Sequence, residues 1–163
     1  MTDTDLDTVD PSRGPTAAQA AGLTLAAARR IIDAVEAAGR AMHVALSVAV
    51  VDGGDQLVAF ARMDGADLVS IELARNKAFS ALVNRMPTRD LAPIVQPGTE
   101  FYGYDSLAGG RMVVFAGGMP IEREGVLIGA VGVSGGSSEE DQRAADAGVT
   151  AFSQRLRRLP REG

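Results

Sequence analysis

Residues 125–135, GVLIGAVGVSG, contain the stretch that decides the fold class of this chain. From Val126 to Val133 every residue is apolar or glycine, and a short apolar run rich in β-branched residues predicts a buried strand. The turn residues Arg123-Glu124-Gly125 connect this run to a strand that follows Gly117 to Ile121. Two strands joined by so tight a turn run antiparallel, so the stretch predicts an antiparallel sheet.

Three further strands are predicted upstream of this hairpin. Val44 to Val51 is another buried, β-branched run, and the turn from Asp52 to Asp55 leads from it into a strand over Gln56 to Arg62. Met112 to Ala116 predicts one more strand after a pair of glycines. The sheet predicted from the sequence therefore has five strands.

Three helices are predicted around the sheet. Thr24 is placed to cap a helix that ends near Met42. A second helix runs from Leu68 to Asn84, with Ile71, Ala74, Ala78 and Leu82 on one face. Ser138, with Asp141 three residues later, resembles a capping box and begins the last helix. The order is α-β-β-α-β-β-β-α, an α/β protein of the α+β type.

Composition limits the location and the partners of the chain. The formal net charge of −5 argues against a nucleic-acid surface. The one basic run, Arg155 to Arg161, is interrupted by Leu and Pro and is expected to be a solvated helix end. The N-terminus lacks the apolar region of a secretory signal, and no apolar stretch approaches the roughly 20 residues of a membrane span. We therefore expect a cytoplasmic protein without a membrane partner. Residues 22–158 are predicted to form one domain, with a disordered tail at 1–21 and a short tail at 159–163.

Short motifs stand along the chain in a fixed order: Val50-Val51-Asp52-Gly53-Gly54, Arg62-Met63-Asp64, Ala74-Arg75-Asn76-Lys77-Ala78, Gly117 to Ile121, Gly125 to Gly135, and Glu139-Glu140-Asp141. In this order they resemble the GlcG/HbpS-like family of haem-binding and glycolate-operon proteins. The resemblance covers about Leu23 to Leu156. It implies a profilin-like fold, with a five-stranded antiparallel sheet and helices on both faces. It also implies a homo-oligomer, and haem or a corrinoid-type molecule as ligand.

Lys77 is the most informative single position for function. It lies in the middle of the second helix among alanines, where an ammonium is shielded from water. A desolvated lysine has a lowered pKa and serves as a base, a nucleophile or an anchor for an anion. The alternative is a buried ion pair with Asp52, Asp64 or Asp141.

Other candidate ligand-binding residues lie in this helix and in the segments before and after it. Arg62 can hold a carboxylate, such as a haem propionate, or pair with Asp64. The remaining predicted contacts are Ser70, Tyr102, Tyr104, Gly118 and Ser134. His43 is the single histidine and is the candidate axial ligand for a haem iron. With no cysteine in the chain, haem ligation is expected to be weak or to use oxygen.

Three functions are compatible with these residues. The first is binding of haem or of a small carboxylated molecule, in a pocket between the second helix, the Arg62–Asp64 strand end and the Glu100–Tyr104 loop. The second is a cofactor-independent enzyme that performs acid–base or oxygenation chemistry on a small organic substrate, with Lys77, Glu100 and Asp64 as catalytic groups. The third is a structural oligomer that modulates a partner protein.

Overall fold

Four antiparallel strands form one sheet in the computed structural model, which describes residues 22–158; the predicted tails at 1–21 and 159–163 lie outside the described residues. The strands are β1 (Ser47–Asp52), β2 (Leu57–Arg62), β3 (Gly118–Arg123) and β4 (Val126–Ser134). Their order across the sheet is β2-β1-β4-β3, so the two predicted hairpins lie side by side with β1 and β4 at the centre.

The prediction of a fifth strand over Met112 to Ala116 is wrong. This segment has no strand pairing and runs along a helix instead. The backbone N–H of Val113, which a strand would donate to a neighbouring strand, is taken by the Ser80 hydroxyl at 2.8 Å. The sheet begins again only at Gly118, and it therefore has four strands rather than five.

The helices agree closely with the pattern in the sequence. They are α1 (Leu25–Met42), α2 (Leu68–Asn84), the short α3 (Thr88–Leu91) and α4 (Leu107–Gly110), and α5 (Ser138–Arg158), with 3₁₀ turns at Ala92–Ile94 and Tyr104–Ser106. Thr24 caps α1 by accepting the N–H of Ala27. Within residues 22–158, none of the helices combines the length and the apolar character that a bilayer crossing requires.

The capping box of α5 lies one residue earlier than predicted. Ser137 and Glu140 form it, because the Glu140 carboxylate accepts both the backbone N–H and the hydroxyl of Ser137. Ser138 is the first residue of the helix, and Asp141 is left free to point into the protein. This one-residue shift determines the site described below.

Helices cover both faces of the sheet, and alternate strand residues point to opposite faces. Val48, Val50, Val131 and Val133 belong to the larger core cluster with α1 and α5, whereas Val51 and Ala130 pack with residues of α2. The approach of α2 is unusually close because β4 has a glycine beneath it. A Cβ atom on Gly132 would overlap the backbone carbonyl of Ala74. On this side of the sheet, which we call the α2 face, the backbone of the helix therefore packs directly against the backbone of β4 at Gly132.

Candidate functional site

Lys77 and Asp141 form a buried ion pair at the centre of the α2 face. The Lys77 side chain is 0% exposed, and its ammonium donates to Asp141 Oδ2 at 2.6 Å and to the carbonyl of Val133 at 3.0 Å. The third side of the ammonium faces the ring of Phe115, whose centroid lies 4.9 Å away. Of the alternatives that the sequence left open for an ion pair, the structure shows the pair with Asp141.

Burial dominates the electrostatics of this pair. It lowers the pKa of Lys77, and the neighbouring Asp141 carboxylate opposes that shift. It also raises the pKa of Asp141, against the opposing effects of the Lys77 ammonium and of the N–H of Gly136, which donates to the other carboxylate oxygen at 2.9 Å. Asp141 lies in the first turn of α5, where the helix dipole favours a carboxylate.

The family-like motifs meet at this ion pair. Lys77 comes from the Ala74–Ala78 motif, and its carbonyl acceptor at Val133 comes from the Gly125–Gly135 motif. A Cβ atom on Gly117 would overlap the carbonyl of Val133 and lie 3.0 Å from the ammonium, and a Cβ on Gly118 would overlap the backbone of Lys77. The glycines of these motifs therefore make room for the ion pair and its helix.

A second group of predicted residues lies at the N-terminal end of α2. The Ser70 and Ser47 hydroxyls share a hydrogen bond of 2.7 Å, and both side chains are buried. Arg62 and Asp64 are exposed at the end of β2 and in the turn that follows it. This end of the helix therefore presents the guanidinium of Arg62 and the carboxylates of Asp64 and Asp67 to solvent.

A third group lies at the C-terminal end of the same helix. The Tyr104 hydroxyl donates to Asn84 Oδ1 at 2.6 Å, and the ring of Phe101 packs edge-on against Tyr104 with centroids 6.2 Å apart. Glu100 is exposed, and Tyr102 is 68% exposed. The Tyr102 hydroxyl has no hydrogen-bond partner among residues 22–158.

The predicted ligand and catalytic residues are thus spread along α2. Ser70 and Asn84 mark its two ends, and at 1.5 Å per residue they are about 21 Å apart along the helix. Lys77 lies between them, buried under Phe115, and its ammonium contacts neither Asp64 nor Glu100. A single chain does not bring Lys77, Glu100 and Asp64 together.

The other predicted contacts have structural partners. Gly118 donates its N–H to the Thr88 hydroxyl at 2.9 Å, and Ser134 is buried opposite Ser47 at the end of β4. His43 is exposed, with a left-handed backbone (φ 59°) directly after α1. Among residues 22–158, no three His, Asp or Glu side chains come close enough to hold a metal ion.

The structure also contains a cleft that the sequence did not indicate. Its volume is about 380 Å³, and it lies between α3 and the first turns of α5, next to the segment that carries Phe115. The lining residues are Arg89, Ala116, Ser138, Glu139, Gln142, Arg143 and Asp146. They come from three separate segments, and only the fold brings them together. The two arginines and the two carboxylates among them balance in formal charge, and the Gln142 amide donates a hydrogen bond to Asp146.

The geometry defines an α+β protein in which helices cover both faces of an antiparallel sheet and a buried lysine–aspartate pair joins α2 to α5. The family model described as haem degrading protein HbpS-like matches residues 23–150. The chain belongs to this HbpS-like family, which confirms the resemblance found in the sequence.

Three similar proteins extend this comparison. An uncharacterized 15.0 kDa protein of Citrobacter freundii is 40% identical over 136 residues, which are 83% of this chain and 96% of that protein. A crystal structure described as a PduOC:heme complex superposes with a TM-score of 0.77 at 35% identity, covering 80% of this chain and 94% of the other. The corrinoid adenosyltransferase PduO of Salmonella typhimurium is 41% identical over 113 residues. These residues are 69% of this chain but only 33% of the transferase.

Proposed function

We propose that this protein binds haem on the surface formed by residues 94–115. The observation that carries the proposal is the similarity, at 35% identity over 80% of the chain, to a structure described as a haem complex. The family description, which also refers to haem, supports the same ligand. The matched part of the adenosyltransferase is one third of that enzyme, so its activity is not part of the proposal.

The side chains of this surface suit a flat, largely apolar ligand. Five large apolar residues are exposed within one irregular stretch of the chain: Ile94, Phe101, Tyr102, Leu107 and Phe115. Binding sites for such ligands are lined mainly by apolar and aromatic groups, with few polar atoms that fix orientation. A haem would also need an axial ligand, and tyrosinate is a known protein ligand for haem iron. The exposed Tyr102 fits this role because its hydroxyl is not engaged by the rest of the described chain.

Acid–base catalysis by Lys77, Glu100 and Asp64 is supported less well. It requires Lys77 to leave Asp141 and requires groups at the two ends of α2 to converge on one substrate. Ligand binding requires neither change, and we therefore place it first.

Haem titration with two matched variants tests the proposal. We expect the wild type to shift the Soret band of haem and Tyr102→Phe to bind at least about tenfold more weakly, which corresponds to about 1.4 kcal/mol. His43→Ala removes the competing candidate ligand, and we expect it to keep most of the binding. Native mass spectrometry of the freshly purified protein reports ligand retained from the cell.

Two results would contradict this proposal. An unchanged haem spectrum with the wild type at micromolar protein rejects haem binding as a whole. Loss of binding in His43→Ala with full binding in Tyr102→Phe moves the ligand to the end of α1 and rejects the proposed surface.

A further inference from the structure

The surface formed by residues 94–115 contains a single cation. Glu100 and Asp105 are its acidic residues, and Arg111 is its only basic residue. A haem molecule carries two propionate carboxylates, and a carboxylate that is bound without a partner loses the hydrogen bonds that water gave it. Arg111 is the only residue of this surface whose charge is opposite to that of a propionate.

Arg62, which the sequence suggested as the partner of a carboxylate, lies at a different level of α2. It is paired with Ser47 in the sheet, and the Ser47 hydroxyl is bonded to Ser70. The carbonyl of Arg111, in contrast, lies 3.4 Å from the Ser80 hydroxyl. At 1.5 Å per residue, Ser70 and Ser80 are about 15 Å apart along the helix. Of the two arginines, Arg111 is therefore the one that lies within the proposed ligand surface.

The Arg111 guanidinium is held from two directions. Its central carbon lies 3.8 Å from the centroid of the Phe79 ring in α2. Its Nη2 donates to Asp55 Oδ2 at 2.8 Å, and Asp55 belongs to the turn between β1 and β2. Two separate elements thus fix the position of a long side chain. A cation that is held in this way loses little conformational entropy when it binds a ligand.

Most of the hydrogen-bonding capacity of Arg111 is unused. A guanidinium has five N–H donors, and only Nη2 has an acceptor among residues 22–158. The contact with Asp55 is a single bond rather than the two-bonded fork that arginine often forms with a carboxylate, and Asp55 Oδ1 is buried without a hydrogen-bond partner in the described part of the chain. Because the Arg111 side chain is 37% exposed, a second carboxylate can reach its free N–H groups from solvent.

We propose that Arg111 binds a carboxylate of the ligand and thereby selects porphyrins whose propionates are free, with Asp55 and Phe79 as its positioning residues. This inference rests on the proposed haem function and adds to it a requirement for the anionic edge of the ligand. Tyr102 ligates the iron in that proposal, whereas Arg111 contacts the periphery of the macrocycle. The two roles can therefore be separated by changing the ligand as well as the residue.

Haem and its dimethyl ester distinguish this role from a structural one. The ester has the same iron and macrocycle, but its two carboxylates are blocked and uncharged. We expect the wild type to bind haem at least about tenfold more tightly than the ester, because hydrogen bonds between charged groups are the strong ones. Arg111→Met keeps an unbranched side chain next to Phe79 and should bind the two ligands about equally. Arg62→Met is the matched control and should keep the wild-type preference.

The readout is the preference for haem over the ester, measured by absorbance titration of each protein in one buffer with one cosolvent. Lost packing at Arg111 weakens the binding of both ligands alike, whereas a lost carboxylate contact weakens the binding of haem alone. If Arg111→Met does not fold, Arg111→Lys decides, because it keeps a positive charge beside Asp55 without the planar fork. We expect Arg111→Lys to lose part of the preference.

The proposal is overturned if the wild type binds haem and the ester equally well, or if the variant measured at Arg111 keeps the full preference. It is also overturned if Arg62→Met removes the preference, since the carboxylate then lies at the other end of α2. In each of these cases the haem function stands. A wild type that binds neither ligand rejects the haem function itself, and the role of Arg111 with it.

Discussion

The two faces of the sheet are held together by different means. On the α1 and α5 face, branched aliphatic side chains such as Ile31 and Val35 interlock with the valines of β1 and β4. On the α2 face, the buried residues are mostly alanine and serine, and the helix backbone lies directly on Gly132. The largest buried side chain on that face is charged.

This difference in packing predicts that equally buried positions on the two faces differ in their tolerance of substitution. Side chains on the aliphatic face can change rotamer and fill part of a lost volume. On the α2 face the backbone itself is in contact, and the buried charge must keep its partner. We therefore expect substitutions on the α2 face to cost more than substitutions of similar size on the opposite face.

The largest effect is expected for Lys77→Met, which removes the ammonium at similar volume. Asp141 would remain as an unpaired buried carboxylate, and breaking a buried ion pair in this way costs about 3–5 kcal/mol of unfolding free energy. Denaturant unfolding measures the loss, and Arg30→Met on the exposed side of α1 is the control. A loss no larger than in that control would show that the pair does not stabilise the α2 face.

The stability of Lys77→Met should depend on pH, and the raised pKa of Asp141 sets the direction of that dependence. Burial keeps the pKa of Asp141 raised, so in the variant the folded protein binds a proton more tightly than the unfolded chain does. Stability is then lost as the pH rises through the folded pKa and regained as the pH falls from neutral toward acid. Adding Asp141→Leu removes the orphaned charge and should abolish this pH dependence together with much of the destabilisation.

A smaller effect is expected for Gly132→Ala, which adds one methyl group beneath α2. The new Cβ would overlap the carbonyl of Ala74, so the helix must move, and overpacking of this kind costs about 1–3 kcal/mol. Gly53→Ala is the matched control, because its Cβ would meet its nearest neighbour at an ordinary 3.8 Å. Equal stability of the two variants in thermal unfolding would refute backbone contact as the basis of this face.

The smallest effect is expected on the aliphatic face, for Ile31→Val. Ile31 is fully buried in the larger core cluster, and deleting one methyl group there typically costs about 0.5–1.5 kcal/mol. The same unfolding measurements provide the comparison. A loss as large as that of Lys77→Met would remove the distinction between the two faces.

The sequence predicted the elements whose pattern is local. Helix α2 begins and ends at the predicted residues, and both hairpins occur where turn residues separate apolar runs. Met112 to Ala116 was mistaken for a strand because it is apolar and follows glycines. The backbone N–H of Val113 is taken by the Ser80 hydroxyl, and a side-chain partner 33 residues away has no local pattern in the sequence.

The candidate site was predictable only in part. Lys77 stood out because a charge among alanines is uncommon in a helix, and the set of its possible partners included Asp141. The spacing of Ser138 and Asp141 suggested a capping box, however, and this interpretation gave the carboxylate a local role. Ser137 and Glu140 have the same spacing and take that role, which leaves Asp141 for the lysine. Pairing across 64 residues depends on the fold, and the cleft beside α5 depends on it as well.

The separation of Lys77 and Asp141 along the chain also orders events while the protein is made. Synthesis produces α2 and the central strands before it reaches α5, which supplies the carboxylate. Until then the ammonium lacks its carboxylate partner, and a buried charge that has only the Val133 carbonyl as hydrogen-bond acceptor is less favourable than one in water. We therefore expect α2 to dock in its final position only after α5 has been made, so that the α2 face of the sheet is the last to be covered.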